Sequence, residues 1–220
     1  MGVELVDKRV LVIGASGGIG GAAADAFAAA GAAVLRPGRE AFDVLDEPGI
    51  AAFFTAEAPF DHVVVAAAAT KTGPAAALGL ADAEAAMGSK FFGAYRVARH
   101  ARINDGGSLT LVSGFLSSRP SGSAVLQGAI NAALEALARG LALEKAPVRV
   151  NAVSPGLVDT KLWGGLAAAD RQAMFEGAAG RLPARRVGRP EDVAQAILFV
   201  ATNPYVTGTT VTVDGGGTIA

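Results

Sequence analysis

The chain contains no cysteine, which removes disulfides, thiolate nucleophiles and Cys-based metal sites at once. Polar aromatic groups are nearly as scarce, with two tyrosines, one tryptophan and two histidines in 220 residues. His62 and His100 lie far apart and form no metal-ligand spacing, so no metal is expected. No sign of charge dominates: 19 Lys and Arg face 20 Asp and Glu, a formal net charge of −1. That balance argues against nucleic acid or an anionic membrane as a partner, either of which needs a basic face. The longest uninterrupted aliphatic run, Val63 to Ala69, falls far short of a membrane span. No basic segment leads into an early apolar run, so no secretory signal is expected and a cytoplasmic location is the default.

What is present is apolar residues at 51% and 29 glycines, in a length that suits one domain with a substantial core. No repeat, low-complexity tail or linker divides residues 1–220, which read as a single unit. Short aliphatic runs alternate with longer Ala-rich stretches. Strands are expected at Val10–Ile13, Val34–Leu35, His62–Ala67, Ser108–Val112, Val148–Val153 and Val211–Val213. Helices are expected at Ile19–Ala30, Asp82–Ala101, Ser123–Lys145 and Glu191–Thr202. In the third, Ile130, Leu134, Leu137 and Leu141 fall on one stripe. Continuous apolar strands separated by helices predict an α/β fold, a Rossmann-like doubly wound parallel sheet covered on both faces. From Leu35 to the next extended piece, Ala41–Val44, there are too few residues for a helical crossover. The third edge strand is therefore expected to be missing or reduced to a bend.

Gly14-Ala-Ser16-Gly17-Gly18-Ile19-Gly20 stands between a buried strand and a helix. In that setting glycines let backbone N–H groups approach a pyrophosphate, which the helix N-terminus favours electrostatically. Tight packing alone is the competing explanation. The Gly-x-x-x-Gly-x-Gly spacing resembles the turn of the short-chain dehydrogenase/reductase family, and the resemblance extends along most of the chain. Asp61-His-Val-Val-Val-Ala66-Ala67-Ala68 is similar to the family strand that ends in Asn-Asn-Ala-Gly. Val148-Arg-Val-Asn-Ala-Val-Ser-Pro155-Gly156 is similar to the strand and loop beneath the nicotinamide, and Thr160 fits the Pro-Gly-x-x-x-Thr pattern. Gly188-Arg-Pro-Glu-Asp-Val-Ala194 and Val213-Asp-Gly-Gly216 resemble the C-terminal signatures.

The resemblance implies a dinucleotide held by Gly14, Ser16, Gly17, Gly18, Ile19 and Gly20, with Asp43 and Val44 flanking the adenine. Ala66, Ala67 and Ala68 would line a ribose; Pro155, Gly156, Val158 and Thr160 would complete the site. Where NAD-preferring members carry an acid after the second strand, this chain has Gly38-Arg39. Absence of the acid removes repulsion of a 2′-phosphate, and Arg39 can pair with it bidentately, which favours NADP(H) over NAD(H). Arg36 either assists or is a solvated charge. The resemblance also implies a homotetramer or homodimer packed through the Asp82–Ala101 and Ser123–Lys145 helices, whose small residues include Ala94, Ala129 and Ala133.

The family's chemistry uses a Tyr that moves the substrate proton and a Lys that lowers its pKa and binds the nicotinamide ribose. A Ser polarises the carbonyl, and an Asn holds a water. Aligned on Ala132-Ala-Leu-Glu-Ala-Leu137, the Lys position is Asn131, the Tyr position Gln127 and the Ser position Gly114. In Lys90-Phe-Phe-Gly-Ala-Tyr-Arg96, Lys90 stands at the Asn position. All four standard residues are absent, and neither Gln127 nor Asn131 can exchange a proton near neutral pH. Two replacements are open. Lys90 is either a solvated helix charge or a desolvated ammonium able to donate a proton or bind ribose hydroxyls. Ser113 is the nearest hydroxyl to the vacated Ser position, one residue out of register.

The other polar residues have simpler readings. Tyr95 and Tyr205 read as a packing aromatic and a loop anchor, His62 as a packed or edge residue, and His100 as a helix-terminal cation. Asp159 lies where substrate would pass. Trp163 and Phe175 fall in an expected apolar substrate lid, roughly 157–187, without a recognisable charge clamp. The expected function is NADP(H)-dependent oxidoreduction of a small carbonyl or alcohol by a non-standard proton route. The alternatives are a catalytically silent nucleotide-binding sensor or scaffold, and a non-redox lyase or isomerase.

Overall fold

A computed structural model describes residues 4–220. The apolar runs form six parallel strands: β1 (Arg9–Ile13), β2 (Ala33–Leu35), β3 (Phe60–Val65), β4 (Ile103–Val112), β5 (Arg149–Pro155) and β6 (Thr210–Val213). Their order is β2-β1-β3-β4-β5-β6. The two directions of winding diverge from β1 and β3, and the C-terminal strand ends there face a common crevice. Seven helices connect them: α1 (Gly18–Ala29), α2 (Glu47–Ala56), α3 (Leu80–Met87), α4 (Gly93–His100), α5 (Val125–Glu144), α6 (Ala168–Arg181) and α7 (Pro190–Thr202).

Side-chain alternation along the strands builds two cores. Leu11 and Ile13 of β1, with Val63, Leu109 and Val150, meet α2, α4 and α5 on one face. Val10 and Val12, with Val64 and Val153, meet α1 and α7 on the other. Phe27, Phe54, Phe60, Ile130 and Ile197 are fully buried, each worth about 1.5–3 kcal/mol of transfer from water. Leu134 and Leu141 of the α5 stripe are buried as the periodicity predicts, and Leu137 packs partly buried against the same core.

The sheet ends at β2 on its short side. Ala41–Val44 is not a strand; it lies in the turns between Gly38 and Asp46, where Phe42 and Val44 drop into the core. The chain then enters α2, which carries it across to β3. Asp46 caps this helix, its Oδ1 accepting from Gly49 N–H at 3.1 Å, with Pro48 in the first turn. The sequence analysis did not anticipate α2, nor α6 within the expected lid. The expected Asp82–Ala101 helix is α3 and α4 joined by a π-turn, Gly88–Phe92. Arg96 donates to Gly88 O and Val44 O, both at 3.2 Å, holding the joint against the β2–α2 connection. Ala94 is buried in this packing, so it is not available to an oligomer face, whereas Ala129 is exposed.

Candidate active site at the C-terminal edge of the sheet

The glycine turn is built by close backbone approach. Gly14 has φ +91°, and a Cβ there would lie 2.6 Å from Ala67 N; one at Gly20 would lie 2.2 Å from Gly14 O. These two glycines therefore fold the turn against itself and against the end of β3. Gly17 is different, since a Cβ there would meet only its own turn's oxygen at 3.4 Å. Gly17 caps α1 without a side-chain hydrogen bond, and the first turn of α1 holds no acidic residue. The positive helix end and its free N–H groups face the crevice, flanked by Ser16 and Ile19, so the turn fits a pyrophosphate. The side chain of Thr160 closes over it, its methyl 2.8 Å from where a Gly18 Cβ would stand.

The remaining expected dinucleotide contacts surround that turn. Ala66 and Ala67 are half-buried and Ala68 is exposed. The strand end lacks the family's asparagines, but Ser89 Oγ accepts from Ala69 N–H at 2.8 Å and supplies one brace. Gly156 lies against Asp214, with its N–H on Val213 O at 2.9 Å; Val158 is buried and bridges Gly188. Arg39 is mostly exposed, 3.6 Å from Asp43. Asp43 Oδ1 also accepts from Leu45 N–H, and Val44 packs under Gly93. Arg36 is held by Asp25 at 2.6 Å, which leaves Arg39 the freer of the two guanidinium groups.

The vacated catalytic positions converge with Lys90. The π-turn aims Lys90 across to α5, where Nζ donates to Asn131 Oδ1 at 2.6 Å and to Ser113 O at 2.8 Å. The π-turn thus brings the Lys90 ammonium onto the α5 face that carries Gln127 and Asn131. Burial pushes its pKa down from 10.5 to about 8, against the opposing pull of Glu135. Gln127 Nε2 lies 3.4 Å from Asn131 Oδ1, and Gln127 Oε1 is buried with no hydrogen-bond partner. Gly114 makes room for the amide of Asn131: a Cβ there would stand 2.7 Å from Nδ2. A side chain at position 114 and the Asn131 amide in this place would exclude each other.

Ser113 enters this cluster through its carbonyl oxygen. Its hydroxyl donates to Glu135 Oε1 at 2.9 Å, and Ser117 Oγ donates to the same oxygen at 2.7 Å. Glu135 was missed by the sequence reading, although Gln127, Asn131 and Glu135 recur every four residues and so share one helix face.

The outlying candidates go elsewhere. Tyr95 and Tyr205 are exposed. His62 is buried beside Ser108 Oγ at 2.9 Å and stacks on Phe27. His100 ends α4 and meets Glu47 at 3.1 Å. Asp159 pairs with Arg171, whose guanidinium lies over Phe175, and Trp163 Nε1 donates to Val158 O at 3.0 Å. None of these seven side chains lines the cleft beside the β4–α5 connection. That cleft, of about 330 Å³, is walled by Phe115, Leu116, Leu157 and Leu182, with Arg119 and Arg181 on its border. Among the described residues no group of His, Asp or Glu is placed to hold a metal ion. Among the same residues no helix is long and apolar enough to cross a membrane.

Known proteins share this architecture. Residues 40–218 match the family profile described as Enoyl-(Acyl carrier protein) reductase. The chain is 33% identical to the cis-4-hydroxycyclohexanecarboxylate dehydrogenase of Sinomonas cyclohexanicum, over 99% of each chain. It is 31% identical to the 3-oxoacyl-acyl-carrier-protein reductase MabA of Mycobacterium tuberculosis, over 96% of this chain and 93% of that one. With the short-chain dehydrogenase/reductase ucsE of Acremonium sp the match is 34%, and it spans only about half of that relative's length. A solved small-chain dehydrogenase in complex with NADPH superimposes with a TM-score of 0.93 at 37% identity, over 97% of this chain and 99% of that one.

Proposed function

Because the chain belongs to the short-chain dehydrogenase/reductase family, a family of oxidoreductases, we propose that it interconverts a small carbonyl compound and its alcohol with NADP(H), and that Lys90 moves the proton. The observation that carries this reading is the contact between Lys90 and Asn131, on the α5 face that the family resemblance assigns to proton chemistry: a partly desolvated lysine, its pKa lowered to about 8, held by two hydrogen bonds. A group with that pKa supplies both protonation states near neutral pH.

A dinucleotide with its pyrophosphate at the glycine turn would supply or accept the hydride through its nicotinamide. The protein's part is positioning and proton transfer. The α1 N-terminus and Thr160 would hold the pyrophosphate, and Arg39 would take the 2′-phosphate. Asn131 and the Ser113 carbonyl take two of the three Lys90 N–H groups, and the third would serve a substrate oxygen. In reduction, Lys90 would give an Nζ–H proton to the substrate oxygen and, left neutral, take up a proton from solvent. Oxidation runs in reverse, with neutral Lys90 taking the hydroxyl proton. The unpartnered Gln127 Oε1 is available to accept from a substrate hydroxyl or a water.

Calorimetric titration with NADPH and NADH tests the cofactor half of this proposal. NADPH is expected to bind the more tightly, and Arg39→Gln to remove about tenfold of that affinity while leaving NADH unchanged. No binding of either dinucleotide refutes the reading. Binding with no turnover across a panel of ketones and aldehydes favours the sensor or scaffold alternative, which the loss of all four standard side chains supports.

A further inference from the structure

We infer that the substrate of this site carries an anionic group, a carboxylate or its equivalent, held by Arg119 and Arg181 at the outer end of the cleft. Phe115 and Leu116 follow Gly114 directly, and Leu116 O packs on Gly128, one residue beyond Gln127. The cleft they wall lies between the β4–α5 connection and α6, and its Phe115–Leu116 wall joins Gly114, which abuts Asn131, to Gly128, which abuts Leu116 O. Its inner walls are apolar. At its border the charge changes sharply. Arg119, from the β4–α5 connection, donates to Gly217 O and retains its other N–H groups. Arg181, in the last turn of α6, has no hydrogen-bond or ion-pair partner among the described residues.

Their neighbours show how readily this chain pairs its arginines. Arg171 is tied to Asp159, and Arg186 to Asp192. The one acidic side chain on the cleft, Asp214, is occupied by the N–H groups of Gly216 and Thr218 at 2.9 and 2.7 Å. A cation in a final helical turn is favoured by the helix dipole, which accounts for Arg181 but not for Arg119 beside the same cleft. Two guanidinium groups from separate segments, neither in an ion pair among the described residues, line an otherwise largely apolar cleft and match an amphipathic anion with an apolar body and a charged end.

The oxidoreductase reading enters only in calling that anion a substrate, so binding is measured apart from turnover. The purified protein is titrated calorimetrically with 4-phenylbutanoate and, in parallel, with the uncharged 4-phenylbutanamide. The carboxylate is expected to bind at least about tenfold more tightly at low ionic strength. Arg181→Gln, which breaks no internal hydrogen bond, is expected to reduce that preference, and Arg119→Gln/Arg181→Gln to abolish it. Equal affinity for the two probes, failure of the carboxylate to bind, or a preference that survives in the double variant overturns the inference. A panel of keto acids and their methyl esters, assayed with NADPH, then separates the two readings. Preferential reduction of the acids supports both. A preserved binding preference with no reduction of either series leaves the anion clamp standing and removes the oxidoreductase.

Discussion

Replacing Lys90 by methionine isolates the charge from the shape of the side chain. The substitution removes hydrogen bonds of 2.6 and 2.8 Å to Asn131 Oδ1 and Ser113 O, and each acceptor left unsatisfied costs about 1–3 kcal/mol. Against this, a shift from 10.5 to about 8 means that the buried ammonium costs the fold about 3 kcal/mol relative to its neutral form. The two effects oppose each other, so stability should change by only about 1 kcal/mol. Activity should not be spared. Loss of a positioned acid typically lowers turnover about 10²–10⁴-fold. In wild-type protein, carbonyl reduction needs protonated Lys90 and should decline as pH rises through about 8; alcohol oxidation needs the neutral amine and should increase over the same range. The assay is NADPH consumption or formation across pH, with thermal unfolding as the control for folding. A folded Lys90→Met protein with near wild-type turnover, or one that keeps the same inflection near pH 8, refutes the assignment.

Other perturbations read the fold. His62 is buried and neutral, its pKa pushed down from 6.5 to about 4 by desolvation and then by the charge of Arg149. The unfolded chain takes up that proton first, so stability is complete above about pH 6.5 and falls progressively toward pH 4, by about 3 kcal/mol in all. His62→Gln, followed by denaturant titration at pH 7 and pH 4.5, should flatten this dependence; an unchanged slope places the acid sensitivity elsewhere. Gly20→Ala would put a Cβ 2.2 Å from Gly14 O, a backbone atom that cannot yield without opening the turn, and should cost several kcal/mol by the same titration. Gly17→Ala meets nothing closer than 3.4 Å and should leave unfolding nearly unchanged.

The sheet was legible because its strands are apolar runs with glycine punctuation, and β1, β3, β4 and β5 lie where those runs occur. The missing edge strand was legible as well, from the shortness of the connection after Leu35. α2 escaped notice although Asp46-Glu-Pro48 is a helix-start signal. Its apolar residues, Ile50, Phe53 and Phe54, sit in a segment too short for periodicity to stand out. α6 was hidden by the expectation of an irregular lid.

At the site, the family resemblance singled out Lys90, Gly114, Gln127 and Asn131, but not the contacts that join them. Lys90 and Asn131 are 41 residues apart, and their contact depends on a π-turn for which the sequence carries no recognised signal. The room that Gly114 leaves for Asn131 is a property of packing, not of residue type. Similarly, Arg119 and Arg181 become a charged cleft border only once α6 folds beside the β4–α5 connection.

The most direct test of the central claim is isotopic. NADPH deuterated at the transferable position of the nicotinamide is incubated with the protein and a mixture of ketones and keto acids, and the alcohols formed are examined by mass spectrometry. Deuterium on the carbinol carbon, formed by wild-type protein and greatly reduced with Lys90→Met, is the result the account predicts. Bound NADPH with no deuterium in any alcohol would contradict it, and would mean that the fold retains a nucleotide site without the chemistry.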